Sequence, residues 1–421
     1  MVSAYFSRLP LTDRVTHWWD LWSGLATGVF NGGCIAFLSV AARRIGMSDA
    51  GMALMLTMPY VGALSGILLG HLAERYGPMP FYLWPTLASR AVLLVLPFAR
   101  GPVGFLAAAS AFHLLANLGS PSYASLMRSN FSDEHRGRLM GNVRVLVVLV
   151  AAGTSWGAGA ALERWPEAWR WLFAAAAAVG IVATLLFSRI RPRRRFPSAR
   201  PIGRPLHGPP GRPGLVVSLG ELRRDRAFLA FLAIVFVCAL PSKLAAALEP
   251  IRFVDELHIG WRDSGFLLGT VVSLAGAAGY LAWPRLLKRV DPFALLALVT
   301  ALMAIRFCVI AAAARPMHLV PAGVLAGFNN AGWDLVCLFC IFRLADSDRF
   351  PLAMGVHTTF VGVRGLFGPG LGAWLHATGW ASLPTIFWLM AAVTLTGAAG
   401  MLWYSCRFRR ARPAPETAVT R

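Results

Sequence analysis

The sequence predicts an all-α polytopic membrane protein that crosses the bilayer twelve times in two pseudo-symmetric halves, and three observations carry that expectation. Of its 421 residues 57% are hydrophobic and only 14% charged, and the mean hydropathy of +0.60 is far above that of a water-soluble domain. Apolar runs of roughly 20 residues, enough to cross about 30 Å of hydrocarbon, fall near 19–40, 50–70, 80–99, 103–126, 139–162 and 171–188, and again near 227–248, 264–284, 293–313, 318–341, 352–375 and 383–405. The chain also repeats itself at an offset of 214. Ile45-Gly46-Met47-Ser48-Asp49-Ala50-Gly51 returns as Ile259-Gly260-Trp261-Arg262-Asp263-Ser264-Gly265, Arg75 and Pro78 as Arg289 and Pro292, and Met140-Gly141 as Met354-Gly355. Chance identities would scatter over many offsets.

A six-helix half is thus expected over residues 1–188, a linker over 189–226, a second six-helix half over 227–406 and a basic tail over 407–421. Two like halves in lipid are a common plan for secondary transporters. The net charge of +21 and pI of 11.2 invite a nucleic-acid reading, but the 40 basic residues are distributed as membrane topology requires. With the N-terminus inside, 27 lie in cytoplasmic segments, 8 in the opposite loops and 5 in spans. Both termini are therefore expected in the cytoplasm of a bacterial cell, the protein in its cytoplasmic (inner) membrane, and no nucleic acid is expected as a partner. The linker holds 11 arginines and seven prolines between Pro192 and Pro213. It cannot bury a core and is expected to rest on anionic headgroups, with a regulatory docking site as the alternative.

No cleavable signal is expected, because the segment through Asp20 is too polar for an h-region. Six cysteines lie in or beside spans, and the Cys337-x-x-Cys340 pair reads as small-residue packing rather than a metal or redox site. No cofactor is expected, and a monomer is.

Residues Gly70-His71-Leu72-Ala73-Glu74-Arg75-Tyr76-Gly77, after the second span, resemble the cytoplasmic loop motif of the major facilitator superfamily, with Glu74 as the acid and Pro78-Met79-Pro80 where basic residues usually stand. Its second copy, Arg285 to Pro292, is degenerate. Together with the twelve spans and the long central loop, the resemblance covers nearly the whole chain. It implies two six-helix bundles rocking about a central site lined by the first, fourth, seventh and tenth helices. It also implies that Gly70, Glu74, Arg75 and Gly77 form a gating loop, a solvated helix-capping turn being the plainer reading. Gly365-Leu366-Phe367-Gly368-Pro369-Gly370-Leu371-Gly372 is similar to the Gly-Pro motif of proton-coupled antiporters, but that motif belongs to the fifth helix, where Gly153 to Gly159 has no proline. Both stretches offer small faces for close helix approach, and Pro369 invites a kink.

Five cations fall within spans: Arg90, Arg144, Lys243, Arg306 and Arg364. Each costs about 2.5–3.5 kcal/mol at a helix centre facing lipid, so they should face protein or a water-filled cavity. Arg90 and Arg306 occupy corresponding places and are expected to brace the bundles through backbone carbonyls, while Arg144 is near enough to the cytoplasmic end to snorkel. Polar residues share one face of the first span (Asp20, Ser23, Thr27, Asn31, Cys34) and of the fourth (His113, Asn117, Ser120). His113 is open to two readings, a proton carrier or a neutral core histidine. Lys243 follows Pro241 and would sit near mid-membrane if its helix continues through Glu249 and Arg252, or snorkel if it stops near Ala247.

The tenth span holds Asn329, Asn330, Trp333 and Asp334, and the eleventh His357 and Arg364 on one face. Asn31, His113, Asn117, Lys243, Asn330, Trp333 and Arg364 are the candidates for binding a solute; Asp334 and His357 are those for carrying a proton. A static ion pair of Asp334 with His357 or Arg364 is the alternative.

The reading is a secondary transporter for a small organic solute, with a leaning to anions and proton coupling. Its alternatives are an exporter of lipophilic compounds and a non-transporting receptor or scaffold. An enzyme is not expected, since no nucleophile or metal-ligand spacing accompanies His135, Asp133 and Glu134, and no phosphate-binding Gly-x4-Gly-Lys-Ser/Thr run occurs.

Overall fold

The computed structural model describes residues 10–191, 225–344 and 350–411, and among them only helices and their connections occur. The first half contains α1 (Leu11–Gly33), α2 (Leu38–Arg44), α3 (Asp49–Tyr76), α4 (Pro78–Leu93), α5 (Gly101–Leu118), α6 (Ser120–Asn130), α7 (Asp133–Arg164) and α8 (Trp169–Phe187). The second contains α9 (Arg226–Ile251), α10 (Trp261–Ser264), α11 (Val272–Leu287), α12 (Pro292–Ala312), α13 (Val320–Leu344), α14 (Phe350–Ala377) and α15 (Leu383–Ala411). A 3-10 turn joins α1 to α2, and α5 and α6 meet at Gly119, so these pairs each make one crossing. The result is twelve crossings. Ten of them are long and apolar enough to span a membrane among the described residues, and α3 and α14 complete the set.

The repeat has a local cause. Ser48 Oγ caps α3 by accepting from Gly51 N at 3.2 Å, and the corresponding Gly260 opens α10 with its N–H directed to Asp263. Ile-Gly-x-x-Asp-x-Gly is thus a helix-entry signal used once in each half. Asp225 and Asp291 cap α9 and α12 in the same way, and Pro78 and Pro292 take first-turn positions where no amide hydrogen is needed.

The structure changes two expectations. The first crossing begins at Leu11, well before residue 19, because Asp13, Thr16, His17 and Asp20 are buried against protein and not exposed to lipid. Ser132 Oγ donates to Asp13 at 2.6 Å, and Asn130 bonds the Arg191 carbonyl beside Thr16. The supposed gating loop is mostly helix. Residues 70–76 are the last turns of α3, and the joint to α4 is Gly77 alone, at φ +90°, a backbone state that favours glycine. The side chains of residues 65–76, Glu74 and Arg75 among them, lie outside the described residues, as do 192–224 of the linker and 412–421 of the tail. The helix α14 runs from Phe350 to Ala377 with Pro369 inside it.

The halves meet along two seams, α3 against α14 and α7 against α10, α11 and the π-helical segment Gly265–Val271. The small faces noted in the sequence make these seams. A Cβ on Gly159 would come within 2.9 Å of the Trp261 carbonyl and 3.1 Å of Gly265 Cα, and one on Gly365 would strike the Tyr60 ring. Trp261 from the second half packs in the core of the first against Phe37, and Val40 from the first packs in the core of the second.

Candidate functional site

Among the described residues, each half holds a cavity with polar side chains in its wall. The cavity of the first half, about 410 Å³, is bounded by α1, α4, α5 and α6 and is lined by Asn31, Tyr82, Arg90, His113, Asn117 and Tyr123 among others. That of the second, about 250 Å³, lies between α9, α12, α13 and α14 and is lined by Ala239, Ser242, Lys243, Met303, Asn329, Asn330, Trp333, Asp334, Val361 and Arg364. The seven candidate solute ligands divide between the two: Asn31, His113 and Asn117 in the first, Lys243, Asn330, Trp333 and Arg364 in the second.

Lys243 lies well inside α9, which continues through Glu249 to Ile251 and is carried on through Arg252 by a π turn. Its Nζ lies 5.1 Å from the centroid of the Tyr60 ring, which reaches over from α3, and no carboxylate pairs with it among the described residues. Arg364 is 1% exposed. One Nη donates to the Val235 carbonyl, the guanidinium lies 5.8 Å from the Phe236 ring, and its buried Nε has no partner. Two cations therefore share a small cavity with aromatic and backbone neighbours in place of counter-ions, so an anion entering there meets unspent positive charge.

Asp334, the one carboxylate among the residues lining that cavity, has neither His357 nor Arg364 as its partner. Its side chain is 53% exposed, accepts from Tyr280 Oη at 2.8 Å and lies 3.6 Å from Arg144 Nη1 of the first half. Arg144 lies over the Tyr280 ring at 5.8 Å, so it reaches across the bundle interface. The pair is an ionic link between bundles. His357 lines neither cavity; it is buried, with Nε2 3.7 Å from Cys337 Sγ and Nδ1 unpartnered. Cys337 and Cys340 are buried free thiols, and no cluster of three metal-ligating side chains occurs among the described residues.

Arg306 and Arg90 use side-chain partners in place of the expected carbonyls. Arg306 grips Glu249 with both Nη atoms at 2.6 and 2.7 Å, and Arg90 donates to Thr184 Oγ1 with its guanidinium 5.1 Å from the Phe30 ring. Arg90 also forms part of the first cavity's wall. Asp20 is buried with one carboxylate oxygen unpartnered. Sequence reasoning missed Tyr60, Tyr280 and a charge cluster at the far end of the interface, where Arg43 contacts Asp49 and Asp255 and His376 contacts Asp49. The signal for that cluster was available, since Asp49 belongs to the repeated helix-entry segment.

A family model described as Major Facilitator Superfamily matches residues 21–332 and 235–420 of the chain. No curated protein matches the sequence. Among solved structures, the chain resembles the nucleoside transporter NupG (TM-score 0.69, 12% identity, 92% of this chain and 99% of that one). It also resembles an auto-inhibited peptide transporter of the POT family (0.69, 15%, 95% and 99%). A third likeness is to a bacterial homologue of the human lysosomal transporter Spinster, described as inward-facing and unoccupied (0.64, 14%, 97% and 100%). At these identities the likeness is one of fold.

Proposed function

The chain belongs to the major facilitator superfamily and is a multi-pass secondary transporter rather than an enzyme, and on that premise we propose that it moves a small organic anion by alternating access, coupled to protons. The observation that carries this reading is the placement of Lys243 and Arg364 in one cavity with no ion pair to either among the described residues, the Asp334 of the same wall being paired with Arg144. The solute's anionic group rests on these two cations. Ser242 and Asn330 bond its polar substituents, and Trp333 and Met303 cover its carbon frame. Asn31, His113 and Asn117 receive it from the first half when the bundles close around it.

Asp334 supplies the coupling. Ionised, it holds Arg144 of the other bundle; protonated, it keeps the Tyr280 hydrogen bond and loses the ionic attraction, so that proton uptake frees the bundles to part on that side. His357, buried with a free Nδ1, is the second proton candidate. The basic residues favour both termini in the cytoplasm and a bacterial inner membrane as the site, with linker arginines resting on anionic headgroups. Nucleosides and peptides are named for the structural relatives, which differ from one another in cargo, so the cargo here is argued from the cavity and not from the fold.

Counterflow in proteoliposomes tests the reading. Preloaded carboxylates should drive uptake of a labelled one, and Lys243→Ala or Arg364→Ala should abolish it. Counterflow by lipophilic cations alone, unaffected by those substitutions, would instead make the protein an exporter of lipophilic compounds.

A further inference from the structure

At the end of the interface remote from Asp334, four side chains tie the bundles together. Arg43, closing α2, donates Nε to Asp255 Oδ2 at 2.8 Å in the second half and Nη1 to Asp49 Oδ1 at 2.8 Å in its own. His376, in the last turn of α14, places Nδ1 2.6 Å from Asp49 Oδ2. Both carboxylates are thus bridged across the seam. The charges around them have partners of their own: Glu256 is taken by Arg252, Glu249 by Arg306, and Arg44, which bonds the Ile259 carbonyl, faces Glu163 and Asp263. Within the cluster, Arg43 offers one positive charge against Asp49 and Asp255. A neutral His376 leaves one negative charge uncompensated between the bundles, and a protonated His376 removes it.

We propose that His376 is a proton-binding site shared by the two bundles, whose occupation completes the charge balance of the Arg43, Asp49 and Asp255 cluster and holds this end of the transporter shut. Asp49 can only accept, so the neutral ring donates from Nδ1 and the incoming proton is taken from the adjoining water onto Nε2. The position at a helix C-terminus favours the cation as well. Opening the seam separates His376 from Asp49, so the attraction that a proton on the ring creates exists only while the seam is shut, and acid on this side favours closure. A proton taken and returned on the same side does no transport work. It sets how readily the carrier opens to that side. The inference rests on alternating access alone and is independent of the anion reading.

The test is a distance measurement in lipid nanodiscs on the full chain carrying Ala50→Cys and Thr378→Cys spin labels, with Cys308 and Cys406 replaced. Between pH 8 and pH 5.5 the short-distance population should grow, the closed-to-open ratio rising by up to about tenfold per pH unit, the ceiling for one proton. In an Asp334→Asn background, which removes the proton-sensitive ion pair at the opposite end, His376→Gln should be insensitive to pH. Asp49→Asn, which leaves Arg43 and Asp255 balanced without a proton, should be insensitive too. A pH response that survives in either variant, or a parent protein whose distances do not respond, overturns the proposal.

Discussion

The Lys243 ammonium and the Tyr60 ring face each other across the seam between the two halves, 5.1 Å apart, so a cavity-lining cation of one bundle is covered by an aromatic face of the other. A cation against an aromatic face is worth about 0.5–2 kcal/mol, least where water reaches it. Tyr60 also fills the notch left by Gly365. Tyr60→Phe should therefore melt close to the parent protein, while Tyr60→Ala should melt several degrees lower, as measured by thermal denaturation in detergent. Equal melting of the two variants would deny the contact its role.

Close backbone approach at the α7 seam predicts a conformational phenotype without unfolding. Gly159→Val places branched carbons where the Trp261 carbonyl and Gly265 already lie. The variant should express and bind detergent normally yet fail in counterflow, with distances across the Arg43 end lengthened relative to the parent.

Arg306 and Glu249 form a two-pronged pair, both mostly shielded. Removing one partner strands the other charge inside the bundle, at a cost of about 3 kcal/mol. Arg306→Met should lower the melting temperature markedly and Glu249→Gln likewise, whereas the double variant Arg306→Met/Glu249→Met should recover much of the loss. Simple additivity of the two single losses would contradict the pairing.

Asp334 links solute movement to protons only if its charge matters to the Arg144 contact. Asp334→Asn keeps the Tyr280 hydrogen bond and discards the ion pair. Proteoliposomes bearing it should lose uptake driven by a pH gradient and retain solute exchange at equal pH. Unchanged pH-driven uptake would remove Asp334 from the coupling scheme.

The architecture was legible because lipid allows few solutions: helices must satisfy their own backbone groups, so long apolar runs and their loop charges declare themselves. What escaped was contact between residues far apart in the chain. The early start of α1 was hidden because Asp13 and His17 look like solvent-facing groups until Ser132 and Asn130 are seen beside that helix. Asp334 was assigned partners on the following helix, since helix spacing ranks neighbours within a bundle but is blind to Arg144 and Tyr280. The place of Lys243 within its helix turned on one question the sequence posed plainly, whether that helix passes Glu249, and the observed α9 answers it.

The central claim is that Lys243 and Arg364 together hold an anion, and ligand-dependent melting of the purified protein tests it most directly. Small organic carboxylates and lipophilic cations should be compared at pH 5.5 and 7.5, since a ligand at 100 times its dissociation constant stabilises by about 2.7 kcal/mol. The account predicts stabilisation by at least one class of carboxylate, lost in Lys243→Ala and in Arg364→Ala. Stabilisation by lipophilic cations alone, or by anions with equal strength in both variants, would contradict it.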